Sequence, residues 1–207
     1  SSDVCSSDLL SSLTWTQCNL TYSIDSIPAN CAGACDGGIT FSYSNSGTNA
    51  APYVAVLQNG LGANVDSWTF FGESDIYTFP NICAGNYTLT IQSVFTPACV
   101  YSTSIVVTEP TPLVISSVDL VHETSGLSNG EITINATGGV GPYLYSINNG
   151  ATFQFSNHFT GLDAGTYFTV VQDANGCTVS EAVGVGLIVT TGCEVVASTT
   201  PQATSCA

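Results

Sequence analysis

His122 and His158 are the only imidazoles in this 207-residue chain. A hydrolytic triad needs a nucleophile, a base and an orienting carboxylate within mutual reach. Serine and threonine occur throughout, so their presence gives no spacing signal. His122 falls in the connection between two halves of the chain, and His158 in a polar stretch before Phe159. Both read as surface or turn histidines. A carboxylate pair for glycoside hydrolysis could be picked from any of the 15 acidic residues. None lies in an insertion that would wall a cleft. No catalytic residue is expected, and the chain is not read as an enzyme.

The charge balance narrows the ligands. Lysine and arginine are absent, the formal charge is −15, and charged residues make up 7%, against a usual ~25%. Such a chain repels nucleic acid and anionic membrane surfaces. It also has no Schiff-base or P-loop lysine. Asp173-Ala-Asn-Gly and Asp36-Gly-Gly are oxygen-rich, but no D-x-D-x-D-G loop is present, and turn chemistry explains both. No metal site and no cofactor are expected, with diffuse or inter-domain calcium the one ion the charge would attract. Trp15, Trp68, Phe70 and Phe71 are candidate glycan contacts, weighed against plain packing. The sequons at Asn19, Asn86 and Asn135 are what chance gives in a chain rich in Thr and Asn.

Nine cysteines with no CxxC pair and no zinc-ligand spacing point to an oxidised, exported chain. The longest charge-free apolar stretch, Ala182–Val189, is too short to cross a bilayer. Ser1–Leu9 back-translates to a common short-read sequencing adapter. It is therefore expected to be an artefact, Cys5 with it.

The elements that carry these residues repeat. Asp36-Gly-Gly-Ile-Thr-Phe41 stands opposite Asn129-Gly-Glu-Ile-Thr-Ile134. Pro52-Tyr53 to Asn59-Gly60 stands opposite Pro142-Tyr143 to Asn149-Gly150. Ile82-Cys-Ala-Gly-Asn-Tyr87 stands opposite Leu162-Asp-Ala-Gly-Thr-Tyr167, and Cys99 opposite Cys177. This is internal duplication of a unit of ~80–95 residues. One spacing also separates Cys18 from Cys31 and Cys193 from Cys206, as if a further unit begins near the end. Alternation such as Ile39-Thr-Phe41-Ser-Tyr43 predicts strands. Asn59-Gly60, Asn149-Gly150 and Asn175-Gly176 mark turns. Glu109-Pro-Thr-Pro112 marks a linker. The expected fold is all-β, with tandem immunoglobulin-like β-sandwich domains of about seven strands each.

Gly130 to Gly150, Leu162 to Tyr167 and Asp173-Ala-Asn-Gly-Cys177 together resemble the SprB-type repeat of bacterial gliding and cell-surface adhesins. The resemblance covers the second copy closely and the first more loosely. It implies export and surface display, and no catalytic residue. The expected organisation is the end of a preceding repeat at 10–17, domain A at 18–110 and domain B at 111–189. The start of a further A-type repeat follows at 190–207. The expected function is a structural segment of a long extracellular surface adhesin or filament. The alternative is a carbohydrate-binding accessory module of a secreted enzyme. Expected partners are neighbouring repeats, like chains in a fibre and surface glycans.

The disulfide framework is expected to use Cys18, Cys31, Cys35, Cys83, Cys99 and Cys177. If strands run up and down a sandwich, Cys18 meets Cys99 at one pole, and Cys83 meets Cys31 or Cys35 at the other. The remaining one of those two is then expected to bond Cys177. The alternative keeps every bond within a domain and leaves Cys177 free or intermolecular.

Overall fold

The computed structural model describes residues 20–45, 52–95 and 98–189, which form strands and turns. The chain divides into two compact units between Pro110 and Thr111.

In the first unit the strands are β1 (Leu20–Ile27), β2 (Gly37–Asn45), β3 (Tyr53–Asn59), β4 (Asn64–Phe70), β5 (Ser74–Ile82), β6 (Gly85–Ser93) and β7 (Val100–Val107). They make two antiparallel sheets, β1-β2-β5 and β4-β3-β6-β7. The chain crosses between sheets after β2 and returns after β4. This gives an immunoglobulin-like sandwich in which the fourth strand pairs with the third. The alternation decides which face is buried. Ile39 and Phe41 on β2, Leu57 on β3, Phe79 on β5, and Leu89 and Ile91 on β6 are fully buried between the sheets. Thr40, Ser42, Thr88 and Thr90 occupy the intervening outward positions.

In the second unit the strands are β8 (Val114–Val121), β9 (Glu123–Thr124), β10 (Gly130–Thr137), β11 (Leu144–Ser146), β12 (His158–Leu162), β13 (Gly165–Gln172), β14 (Thr178–Val185) and β15 (Leu187–Ile188). Sheets β8-β10-β12 and β11-β13-β14 repeat the first unit's order. The fourth strand shrinks to a bridge between Tyr145 and Gln154, as the shorter loops of this copy require. β9 and β15 add a short parallel pair. Ile132, Ile134, Val171 and Val185 form the buried centre.

The tandem immunoglobulin-like fold is the one expected from the repeat. The Asn149-Gly150 turn takes positive φ at both residues (57° and 80°), as that dipeptide permits.

Candidate functional site

The shared sequence blocks converge on ties between loops at the ends of each sandwich. Gly37 and Gly130 open β2 and β10, where the register to β5 and β12 shifts. A Cβ on Gly130 would lie 2.6 Å from the Leu162 carbonyl oxygen and 2.8 Å from Val185 Cγ1. On Gly37 it would lie 2.9 Å from the Ile82 oxygen and 3.0 Å from Val107 Cγ1. Only glycine lets the strand enter here, and both copies have it. The residue before each glycine secures the preceding turn. Asp36 accepts hydrogen bonds from the Asn30 backbone N–H at 3.0 Å and the Asn30 side-chain amide at 2.9 Å. These donors hold the Asp36 carboxyl below its ordinary value of 3.8. Asn129 Oδ1 accepts from the Thr124 N–H at 2.7 Å.

The L-x-A-G-x-Y block is a tyrosine corner. The Tyr87 hydroxyl donates to the Cys83 carbonyl at 2.9 Å, and the Tyr167 hydroxyl to the Asp163 carbonyl at 2.9 Å. The two copies then diverge in chemistry at one place. In the first unit, Cys35 on the turn after β1 is disulfide-bonded to Cys83 on the corner before β6. In the second, Ser128 and Asp163 stand at those positions and no sulfur is available. Glu123 supplies the tie instead. Its carboxylate accepts the Ser128 N–H at 3.3 Å and the Ala164 N–H at 2.8 Å, with the residue only 7% exposed. One clamp is covalent, the other a buried carboxylate held by backbone donors.

A second carboxylate clamp joins the β13–β14 turn to the β10–β11 loop of this unit. Asp173 Oδ1 accepts from the Asn175 and Cys177 N–H groups, each at 2.9 Å. Its Oδ2 accepts from the Val140 N–H at 2.9 Å. Gly139 lies close enough that a Cβ would sit 2.7 Å from that oxygen. The Tyr143 hydroxyl donates to the Gly138 carbonyl. The G-G-x-x-P-Y and D-A-N-G-C blocks are therefore two halves of one contact.

In the candidate calcium turns the Asp36 and Asp173 oxygens accept these bonds. Among the described residues, no group of three or more His, Cys, Asp or Glu is placed to hold a metal. Of the disulfide candidates, Cys83 takes Cys35. Cys31, Cys99 and Cys177 are also disulfide-bonded, so Cys177 is not the free thiol of the alternative framework. Cys18 and Trp15 lie outside the described residues.

The aromatic candidates separate. Phe70 is a correction: it is 2% exposed, packed at 4.2 Å from the Tyr43 ring and 5.4 Å from Tyr53, and has no face for a sugar. Its inward parity on β4, alternating with Thr69 and Phe71, was the signal for this. Trp68 is partly buried and stacked on Tyr77 at 4.6 Å. Phe71 is exposed.

His122 Nδ1 accepts the Gly186 N–H at 2.9 Å. His158 lies on β12, with Nδ1 2.9 Å from Thr133 Oγ1 and Nε2 3.6 Å from Glu131 Oε2. Hydroxyl, imidazole and carboxylate thus touch, but on the open face of a sheet. β10 is paired on both sides, so its N–H groups are committed to the ladder rather than to an oxyanion.

The SprB repeat family model matches residues 125–152. That stretch runs from the turn clamped by Glu123 through β10 and β11. No curated protein sequence matches the chain. Among solved structures, it is similar to the C-terminal 282-residue fragment of intimin, solved with the intimin-binding domain of the translocated intimin receptor. The identity is 17% and the TM-score 0.43, over 81% of this chain and 65% of that one. It is also similar to three N-terminal domains of the outer capsid protein Hoc of bacteriophage RB49, at 16% identity and TM-score 0.43, over 81% and 59%. The fibronectin(III)-like modules of Clostridium thermocellum CbhA align at 14% identity and TM-score 0.31, over 82% and 95%. The chain spans less than two thirds of the intimin fragment. Among the described residues, no helix is long and apolar enough to cross a membrane.

Proposed function

We propose that this chain is a structural segment of a long extracellular bacterial surface adhesin or filament, without a catalytic role. The observation that carries the reading is the duplicated sandwich, closed in both copies at the same loop-to-corner contact by different chemistry. Keeping a tie while changing its atoms suits a module whose work is to stay folded in a row of modules. The SprB match at 125–152 supports surface display. The disulfides support an oxidising compartment. With no Lys or Arg in the sequence, the chain offers trypsin no cleavage site. Neighbouring repeats are its first partners, and glycan contact falls to Phe71 and the exposed rim of Trp68.

Antibodies raised against the folded chain, applied to intact cells of the source bacterium, test this. Labelling of unpermeabilised cells is expected. Labelling only after permeabilisation overturns it.

A further inference from the structure

Among the described residues, the carboxylates on strands avoid the outer face of one sheet in both units. In the first unit, Val54 and Val56 on β3, Thr88 and Thr90 on β6, and Ser102 and Ser104 on β7 point outward from the four-stranded sheet. The outward positions of β4 are uncharged too, and Val100 and Val106 add exposed apolar area at the β7 edge. The unit's strand carboxylates lie elsewhere. Asp25 is on the outer face of the opposite sheet, opposite Thr40. Asp66 and Asp75 share the inward parity of their cross-strand partners Leu57 and Tyr43. The second unit repeats the pattern. Outward residues Thr166 and Phe168 on β13 and Ser180 and Ala182 on β14 carry no charge; Glu181 on β14 shares the inward parity of its partner Thr169, and Asp119 and Glu131 lie on the other sheet.

We infer that the outer face of the β4-β3-β6-β7 sheet is a self-association surface, on which a second copy of this chain packs face to face. The charge distribution selects that occupant. Packing through the outer face of the opposite sheet instead would bring the Asp25 carboxylates of two copies of a −15 chain together with no Lys or Arg to pair them. The neutral face is where two like chains meet without that cost, and an isologous pairing sets the same face on both. Four strands at ~4.8 Å spacing and about seven residues at ~3.3 Å each give a face of roughly 450 Å². Two faces would bury on the order of 900 Å², at the low end for a specific contact, so a weak dimer is expected from one unit. Repetition along an array then adds avidity. This association goes beyond surface display and is tested without it.

Sedimentation equilibrium of the full chain, from ~10 μM to ~1 mM, reads the association directly. A monomer–dimer equilibrium is expected. It should tighten as NaCl is raised, because salt screens the remaining repulsion while the neutral face is indifferent to it. Thr90→Asp puts two facing like charges at the centre of the contact and should weaken association at least ~10-fold. Ser102→Asp, on the edge strand, should do the same and serves if Thr90→Asp disturbs folding. Ser42→Asp, on the opposite sheet, should leave association unchanged. A strictly monomeric chain at every salt concentration overturns the proposal. So do equal losses from Ser42→Asp and Thr90→Asp, or binding to an insoluble neutral polysaccharide without self-association.

Discussion

Glu123→Gln preserves side-chain size and removes the charge from the clamp of the second unit. The wild-type carboxylate accepts two backbone donors, at 2.8 Å from Ala164 and 3.3 Å from Ser128, in a site 7% exposed. Glutamine keeps one oxygen, which the shorter contact would take. Its NH₂ group then faces the Ser128 N–H, donor against donor. A hydrogen bond to a buried charge contributes ~1.5–3 kcal/mol, and the longer of these two belongs at the low end. Losing that bond and weakening the other costs about 2 kcal/mol. For a unit of this size that is a fall of roughly 8–16 °C in Tm, confined to the second unit's transition. Differential scanning calorimetry measures it, with amide exchange at Ser128 and Ala164 locating it. The covalent solution of the first unit should transplant: Ser128→Cys with Asp163→Cys in the Glu123→Gln background copies the Cys35–Cys83 pair. Closing a loop of that length contributes ~3–4 kcal/mol on the chain-entropy account, and only when oxidised. A loss below ~0.5 kcal/mol for Glu123→Gln, or failure of the engineered pair to close, refutes the equivalence of the two clamps.

Gly130→Ala drives a Cβ to 2.6 Å from the Leu162 carbonyl. Since backbone must move to admit it, a loss of ~2–4 kcal/mol is expected in denaturant unfolding, against under ~1 kcal/mol for Gly184→Ala, whose Cβ would meet nothing within 4 Å. Asp36 should titrate below 3.8 by NMR, and Asn30→Ala, which keeps the backbone N–H and removes the side-chain amide, should move it only part of the way up. Because its folded-state value is lowered, its contribution is complete above the ordinary carboxyl range and is lost as pH falls through the folded-state value. Calcium, held diffusely by uncompensated carboxylates, should raise Tm, and high NaCl should mimic it in part; a Tm indifferent to both contradicts the repulsion argument.

What the sequence discloses and what it hides follow one physical division. Period-2 alternation is a local signal, so Ile39-Thr-Phe41-Ser-Tyr43 could be read as a half-buried strand. Duplication is a global one, and it made the second sandwich readable from the first. A tie between loops is neither. Glu123 lies 41 residues from the Ala164 N–H it accepts, and nothing in its own neighbourhood separates it from a solvated acid. The available signal was comparative: Cys35 and Cys83 give way together, to Ser128 and Asp163, in the second copy. Two cysteines lost as a pair mean a bond lost, and a fold that is kept must hold that contact some other way. In a chain without Lys or Arg, the substitute for a disulfide could not be a salt bridge from either. Backbone N–H groups were the donors left, and a buried carboxylate is the acceptor that gains most from them. Asp173 obeys the same logic at the opposite loops, with three N–H groups on its two oxygens. The missing lysines and arginines thus do more than set a net charge: they leave peptide N–H groups and side-chain amides as the partners for structural carboxylates, and those carboxylates therefore gather at turns.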